Sequence, residues 1–493
     1  MTTTPPVRQR TSRNWIGLPF LLLPALLVSM DISILFVASP AITADLAPSA
    51  AQWLWMMDVY GFVMAGLLIT MGGLGDRFGR KRLLLTGSIL FGAASAAIML
   101  ASDPVAFIAA RALLGIGAAT LAPSTLSIIR GLFTAERARR LAVGAWTVAF
   151  TGGAVAGPIV GGVLLERFWW GSVFLINIPV MALLLATVPF LIPESKDPAA
   201  AGFDLPGAAI SLIAIVSSVY AVKHLVEYGP DGHFAAAAIV GAVGVGLFAH
   251  RQRRAAHPLI DLSLFRIRAF TGSVAAVTAV AFAAAGIGLL AFTLLQTVHG
   301  LSPLDAALWA LPTFAGTFIG AAVASVVRLS PAVGIGGGLT VVAAGFTSLG
   351  QVGPDTPLPW VIAGYSLLTL GTGVVGTLAN TLVLGAAPPE RAGAAAGISE
   401  TGQELGAALG IAALGTVATA VFDAGFDGAS DTVAGAVTEA ANQPGEAADA
   451  LREQAFAAYT DGFGLAALVG AAVVLACAAA AAVTLRRRGT RSL

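Results

Sequence analysis

The stretch Gly72 to Leu84, GGLGDRFGRKRLL, separates two apolar runs and carries four basic side chains. Glycines at positions 72 and 79 permit a tight turn and a close backbone approach. Asp76 lies at an expected helix end, and Arg80 follows four residues later. Each flanking run is about 20 mostly apolar residues long, the length that a membrane-spanning helix needs. The stretch therefore predicts a short basic turn between two spans.

The composition of the whole chain agrees with a membrane location. The chain has 493 residues, of which 57% are hydrophobic and only 11% are charged, whereas soluble domains carry about 25% charge. The apolar run 15–38 is too long for the core of a signal peptide, roughly 7–15 residues, so it is predicted to be a retained first span. A lone cysteine, Cys477, excludes an intrachain disulfide. A net charge of +1 gives no indication of nucleic-acid binding.

Apolar runs of the required length predict fourteen spans, and the basic residues orient them. With both termini cytoplasmic, 23 of the 27 Lys and Arg residues fall on the inner side. The predicted parts are a cytoplasmic tail 1–14, a six-helix bundle 15–193, two extra spans with linkers 194–268, a six-helix bundle 269–485 and a basic cytoplasmic tail 486–493. The outer loop 422–461 is acidic, and it is either an amphipathic helical hairpin or mobile; we expect partial order.

The turn between the second and third spans resembles the signature loop of the major facilitator superfamily, G-x-L-x-D-R-x-G-R-K-x-x-L. This resemblance implies an all-α integral membrane protein with the major facilitator fold. It also implies that the loop is a cytoplasmic gate, with the aspartate facing a helix N-terminus of the opposite half, where the dipole favours a carboxylate by about 0.3–1 kcal/mol. The implied gate residues are Gly72, Asp76, Arg77, Gly79 and Arg80.

Two other stretches support this resemblance. RALLGIGAA, Arg111 to Ala119, resembles the fourth-span motif of the superfamily, with Leu114 in place of its usual glutamine. GAVAGPIVGG, Gly153 to Gly162, resembles the motif of the proton-coupled antiporter branch. Its small residues form a smooth stripe for helix packing, and its proline kinks the span. A small-residue stripe alone would indicate packing only. The implied motif residues are Gly153, Gly157, Pro158, Gly161 and Gly162.

The first two spans narrow the resemblance to the fourteen-span drug:proton antiporters, and within them to the QacA-like multidrug exporters. MDISILFVASP, Met30 to Pro40, resembles L-D-x-T-x-V-N-V-A-L-P. Asp31, Val37, Ala38 and Pro40 match it, Ser33 replaces threonine conservatively, and Phe36 and Ser39 depart from it. The second span carries a related pattern around Trp55, Asp58 and Tyr60. The resemblance implies a monomer in the bacterial cytoplasmic membrane that exchanges protons for small cationic molecules. It implies no cofactor and no nucleic-acid partner, since the proton gradient supplies the energy.

Ionisable residues within spans are costly and are therefore functional candidates. Arg111 needs an anion, and Asp31 is the expected partner. The pair is either static and structural or a proton-coupling site, in which a helix movement that separates the charges changes proton affinity. The intramembrane set is Asp31, Asp58, Arg111, Glu400 and Glu404.

Three of these acids are predicted to bind substrate. Glu400 and Glu404 share one helix face, about 5–6 Å apart at Cβ, so at least one should hold a proton near neutral pH. Glu400 alternatively reaches only the cytoplasmic rim. With Arg111 assigned to Asp31, Asp58 is expected to hold a proton until a substrate cation replaces it. QacA-like transporters of dications carry an aspartate in the tenth span, where Thr317 stands here, which favours monovalent substrates.

Aromatic and sulfur side chains near the acids are candidates for cation–π contact with flat cations. Taken singly, each is also explained by lipid contact or interfacial anchoring. The predicted substrate-binding set includes Trp55, Met57, Tyr60 and Trp309.

Other classes of protein find little support. The five histidines show no metal-ligand spacing, so no metal site is predicted, and no phosphate-binding G-x-x-x-x-G-K-[ST] loop is present. The chain is therefore not expected to be an enzyme. The remaining alternatives are an exporter dedicated to one endogenous metabolite or antibiotic, and a membrane sensor that does not transport.

Overall fold

A computed structural model of the chain describes residues 7–196, 204–255, 262–327, 330–386 and 392–486. These residues form helices without a strand, as the resemblance to the major facilitator superfamily implied. The helices are α1 Val7–Leu46, α2 Ala50–Phe78, α3 Arg80–Met99, α4 Pro104–Leu132, α5 Glu136–Leu165, α6 Ser172–Leu175, α7 Asn177–Leu191, α8 Leu205–Tyr228, α9 Gly232–Arg254, α10 Arg268–Thr293, α11 Pro303–Trp309, α12 Leu311–Val326, α13 Pro331–Leu349, α14 Leu358–Ala386, α15 Ala392–Gly425, α16 Val433–Ala441 and α17 Glu446–Arg486. The π-helical turn Leu294–Val298 extends α10.

Twelve helical segments in the described part of the chain are long and apolar enough to cross a membrane. In this set α6 with α7, and α11 with α12, each count as one segment. Two other long helices, α2 and α8, are outside the set of twelve, and they correspond to the second and seventh predicted spans. The structure thus supports a multi-pass membrane protein, and the count of fourteen spans stays a prediction.

Buried apolar side chains form two main clusters. The first is built mostly from α1 to α7, and the second from α10 and α13 to α17. Helices α8 and α9 pack on each other, and a Cβ on Gly244 would lie 2.9 Å from the Cβ of Ala214. Arg251 Nε donates to Asp204 Oδ1 over 2.6 Å and joins the far ends of this pair. Two bundles with an additional helix pair are therefore visible in the packing.

The basic turn begins at Gly79, whose φ of 115° is a conformation that favours glycine. Glu194 accepts from the backbone N–H of Lys81 over 3.0 Å, and the Ser195 carbonyl accepts from that of Arg80. Arg80 Nη1 also donates to the Ser127 carbonyl at 3.3 Å. The turn is therefore fixed to its own half of the molecule by the chain that follows α7.

The acidic stretch 422–461 is largely helical. Helix α15 runs on to Gly425, α16 spans nine residues, and α17 begins at Glu446. Val433, Ala436 and Ala440 form the buried face of α16. Of the two predicted possibilities, the structure shows the amphipathic helical hairpin. We call this end of the bundle the acidic-loop end, and the opposite end, with Gly79 and Arg130, the basic-loop end.

Several predicted features fall outside the described residues. They are the first six residues of the tail 1–14, Arg328, Arg391 and residues 487–493 of the basic tail; the side chain of Asp76 is likewise outside the description. The predicted contact of Asp76 with the opposite half therefore stays a prediction.

Candidate functional site

A buried ion pair lies at the centre of the first bundle. Arg111 Nη1 donates to Asp31 Oδ2 over 2.6 Å, and both side chains are 1% exposed. The guanidinium of Arg111 also lies over the Tyr60 ring, 4.5 Å from its centroid, which is cation–π geometry. Asp31 Oδ1 and Arg111 Nε have no hydrogen-bond partner among the described residues. The cost of removing the two charges from water is therefore only partly offset by hydrogen bonds.

Small residues allow these groups to meet. A Cβ on Gly115 of α4 would lie 2.7 Å from the Tyr60 carbonyl oxygen, so α4 packs directly on the backbone of α2. Arg111 stands one turn earlier on α4 and reaches the Tyr60 ring from there. The close approach of two helices thus places a cation beside an aromatic face.

Arg111 of the ion pair and two other acids meet at the junction of the two bundles, whereas Asp31 is not among the residues that line the cavity there. The cavity is lined by side chains from α1, α2, α4 and α15, including Asp58, Tyr60, Arg111 and Glu404. Its volume is about 20 Å³, enough for about one water molecule. Asp58 is 1% exposed. A larger molecule could enter this cavity only if the helices separated.

The predicted substrate residues divide into two groups. Asp58, Met57, Tyr60 and Glu404 line the cavity, whereas Trp55, Trp309 and Glu400 are not among its lining residues. Trp55 packs against Tyr220 of α8, with 6.4 Å between the ring centroids. Trp309 is 42% exposed, as expected for lipid contact or an interface.

The two glutamates of α15 face different surroundings. Glu404 lines the central cavity, whereas Glu400, one turn earlier, lies within electrostatic range of Arg130 at the end of α4. Because Arg130 is exposed at the basic-loop end, Glu400 is oriented towards that end. The Glu400 side chain is half-buried, and its predicted position at the cytoplasmic rim stays a prediction.

The two departures from the first-span pattern both lie where the bundles meet. Phe36 lines the cavity, and its ring approaches Gly288 of α10, where a Cβ would be only 3.1 Å away. Ser39 Oγ is 3.3 Å from Thr293 Oγ1. Neither Phe36 nor Ser39 was predicted to have a role. Their departure from the family pattern was the one feature of the sequence that could have drawn attention to them.

The bundles also contact each other closer to the acidic-loop end. Gln296 Nε2 donates to the Val37 carbonyl at 3.0 Å, and Ser302 Oγ donates to Glu166 Oε1 at 3.2 Å. A Cβ on Gly162, the last glycine of the fifth-span motif, would lie 2.7 Å from Leu304 Cα. These contacts join the two bundles on this side of the cavity.

The glycine stripe of α5 packs on the segment of α1 that carries Asp31. A Cβ on Gly153 would clash with the Leu26 carbonyl oxygen, and one on Gly157 would clash with Ser33 Oγ. At Gly161 it would come within 2.5 Å of Ile34 Cγ1. The motif thus fixes how closely α5 approaches the helix of the ion pair.

We expect Gly153→Ala to lower the melting temperature of the detergent-purified protein. The new methyl group meets a backbone carbonyl, which cannot rotate aside, and such overpacking costs about 1–3 kcal/mol. The matched control is Gly152→Ala, since a Cβ there meets nothing within 4 Å. The control should melt at or above the wild-type temperature, because alanine is the better helix former by up to about 1 kcal/mol. Equal melting of both variants would contradict this packing account.

A bundle of apolar helices with an arginine and several carboxylates buried at the junction of two halves is the arrangement of a multi-pass membrane transport protein. Residues 21–411 match the Major Facilitator Superfamily, and the chain belongs to that family. It is a transporter of bacterial membranes rather than an enzyme.

Similar proteins include several with transport or resistance names. The multidrug efflux pump LfrA of Mycolicibacterium smegmatis is 40% identical, covering 98% of this chain and 99% of the relative. The methyl viologen resistance protein SmvA of Salmonella typhimurium is 36% identical over 88% of each chain. The tetracenomycin C resistance and export protein of Streptomyces glaucescens is 31% identical, over 96% of this chain and 92% of the relative.

A solved structure shares the fold. It is a bacterial homologue of the human lysosomal transporter Spinster in an inward-facing, unoccupied conformation, with a TM-score of 0.67 and 18% identity. The match covers 96% of this chain and 97% of that one. At this identity the similarity concerns the fold alone.

Proposed function

We propose that this chain is a proton-coupled antiporter that exports lipophilic, mainly monovalent organic cations by alternating access. The supporting observation is that Asp58, Glu404 and Arg111 line one cavity between the bundles, while Arg111 is also paired with the buried Asp31. Drug export also accords with the multidrug efflux pump among the relatives. The chain works as a monomer without a cofactor, and the proton gradient supplies the energy.

The exchange follows from the cost of a buried charge. A carboxylate in a small, buried cavity is costly unless a proton or a cation neutralises it. Asp58 and Glu404 hold protons when the site contains no substrate, and an entering cation makes the charged form favourable and displaces a proton. One site therefore holds either a proton or a substrate, which is the requirement for antiport.

The ion pair couples this exchange to movement. Asp31 lies on α1, which packs on the glycine stripe of α5, whereas Arg111 lies on α4. A shift of α1 with α5 relative to α4 would lengthen the contact between Asp31 and Arg111. Once the contact lengthens, Asp31 favours a proton. Opening the cavity for a substrate thereby changes where protons bind.

The complete topology has fourteen spans with both termini in the cytoplasm. Helices α2 and α8 have 29 and 24 residues, longer than the roughly 20 residues that a bilayer requires. Adding them to the twelve other segments gives two six-span bundles and the α8–α9 pair. In this orientation the basic-loop end is cytoplasmic, and the motif loop 72–84 acts as a gate on that side.

We expect a preference for monovalent cations, which paired efflux measurements check. Thr317 of α12 stands where dication transporters of the QacA type carry an aspartate, so one carboxylate fewer is present to balance a second charge. In proteoliposomes with an imposed pH gradient, ethidium should leave faster than methyl viologen, a dication. Because the methyl viologen resistance protein SmvA is 36% identical to this chain, methyl viologen is the dication that tests the predicted preference most severely. Equal rates would refute the preference while leaving antiport intact.

A second candidate is export of one endogenous antibiotic or metabolite, which the tetracenomycin C export protein among the relatives favours. The same proteoliposomes separate the two functions. Gradient-driven efflux of ethidium supports the multidrug function. If neither ethidium nor other monovalent cations move, while the pH gradient is maintained, the dedicated exporter or a sensor without transport becomes the better account.

A further inference from the structure

The turn between α8 and α9 gathers two histidines around an aspartate. Nε2 of His224 lies 2.8 Å from Asp231 Oδ1, and Nδ1 of His233 lies 3.3 Å from Asp231 Oδ2. One potential ligand atom from each residue lies within 4.8 Å of the other two. Two imidazoles with one carboxylate are a ligand set that Zn²⁺ binds well. The cluster is separate from the central cavity.

The surroundings hold two of these side chains in place. The His224 ring lies between Tyr220 and Tyr228, with centroid separations of 5.5 Å and 4.8 Å, and its side chain is only 11% exposed. Asp231 caps α9 by accepting from the Phe234 N–H over 2.8 Å. The carboxylate of Asp231 is therefore fixed at the start of α9, beside both imidazoles.

We propose that His224, Asp231 and His233 form a Zn²⁺ site that joins the ends of the two central helices. Ligand atoms around tetrahedral zinc are about 3.3 Å apart, since metal–ligand distances are near 2.0–2.1 Å. The Asp231–His233 contact of 3.3 Å already has this length, and the Asp231–His224 contact of 2.8 Å would lengthen slightly as the ion binds. His233 has the freedom to move, because its side chain is 78% exposed. Water completes the coordination on the exposed side.

A bound ion would have a structural effect on the helix pair. It would close the turn from His224 to His233 and fix α8 against α9 at one end, while Arg251 and Asp204 join the other end. Tyr220, which stacks on His224, also contacts Trp55 of α2. The site would therefore position the pair against the first bundle.

The experiment is equilibrium Zn²⁺ binding to the purified full chain, with any histidine tag removed. We expect one site per chain, with affinity about tenfold or more lower in His233→Ala and in Asp231→Asn. Asparagine retains the helix cap, so a loss in Asp231→Asn reports on the metal ligand. His250→Ala is the control, because that histidine is exposed on the same helix outside the cluster.

A second measurement avoids ambiguity from misfolding. Zn²⁺ should raise the melting temperature of the wild type and of His250→Ala, but not that of His233→Ala. Mg²⁺, which prefers oxygen ligands, should have no such effect. No saturable Zn²⁺ binding by the wild type, or equal affinity in all variants, would overturn the proposal. The three side chains would then serve only to stabilise the turn between α8 and α9.

Discussion

Asp58→Asn is expected to abolish ethidium efflux driven by a pH gradient. The amide has nearly the size of the carboxyl group, so packing in the cavity is preserved, but it neither releases a proton nor carries a negative charge. Losing one charged partner of a buried contact costs about 2–5 kcal/mol, so binding should weaken roughly 30-fold or more. The measurement is ethidium fluorescence in proteoliposomes with an imposed pH gradient.

Asp103→Asn is the matched control for this prediction. Asp103 is exposed and caps α4 through the N–H groups of Val105 and Ala106. Because asparagine caps helices equally well, this variant should transport like the wild type. Unchanged gradient-driven efflux by Asp58→Asn would refute the assignment of Asp58 to the cation site.

The second large effect is expected at the ion pair. Asp31→Asn leaves the Arg111 charge buried, and breaking a buried pair in this way costs about 3–5 kcal/mol. Arg111→Met should cost less, because Asp31 can take up a proton and become neutral whereas arginine stays charged. The melting temperature should therefore fall more in Asp31→Asn. Cation binding should remain measurable in this variant, while proton-driven transport is lost.

A double variant separates structure from coupling at the same pair. Asp31→Leu with Arg111→Met replaces both charges by apolar groups, a change that is often neutral for stability. We expect near-wild-type melting and no proton-driven efflux. A static pair that only joins helices predicts the same stability, but a double variant that still exchanges protons for ethidium.

Much of the fold could be predicted from the sequence, because hydrophobic length and basic loops act locally. The apolar runs gave the helices, and the loop 72–84 with the glycine motif 153–162 gave the family. The pairing of Asp31 with Arg111 was also predicted correctly, since Arg111 is the one basic residue within the predicted spans and a buried charge requires compensation.

Other features depend on how helices pack, which sequence patterns do not specify. Trp55 and Trp309 were predicted near the substrate from their residue type, but they lie away from the cavity lining. Phe36 lines the cavity although it departs from the family pattern. His224 and His233 showed no ligand spacing in the sequence, because a turn between two helices brings them together.

The most direct test of the account is proton release on substrate binding. Tetraphenylphosphonium, a monovalent lipophilic cation, is added to detergent-purified protein in weakly buffered solution with a pH indicator. The account predicts about one proton released per bound cation in the wild type and a marked loss of release in Asp58→Asn. Binding without proton release in the wild type, or equal release by Asp58→Asn, would contradict it.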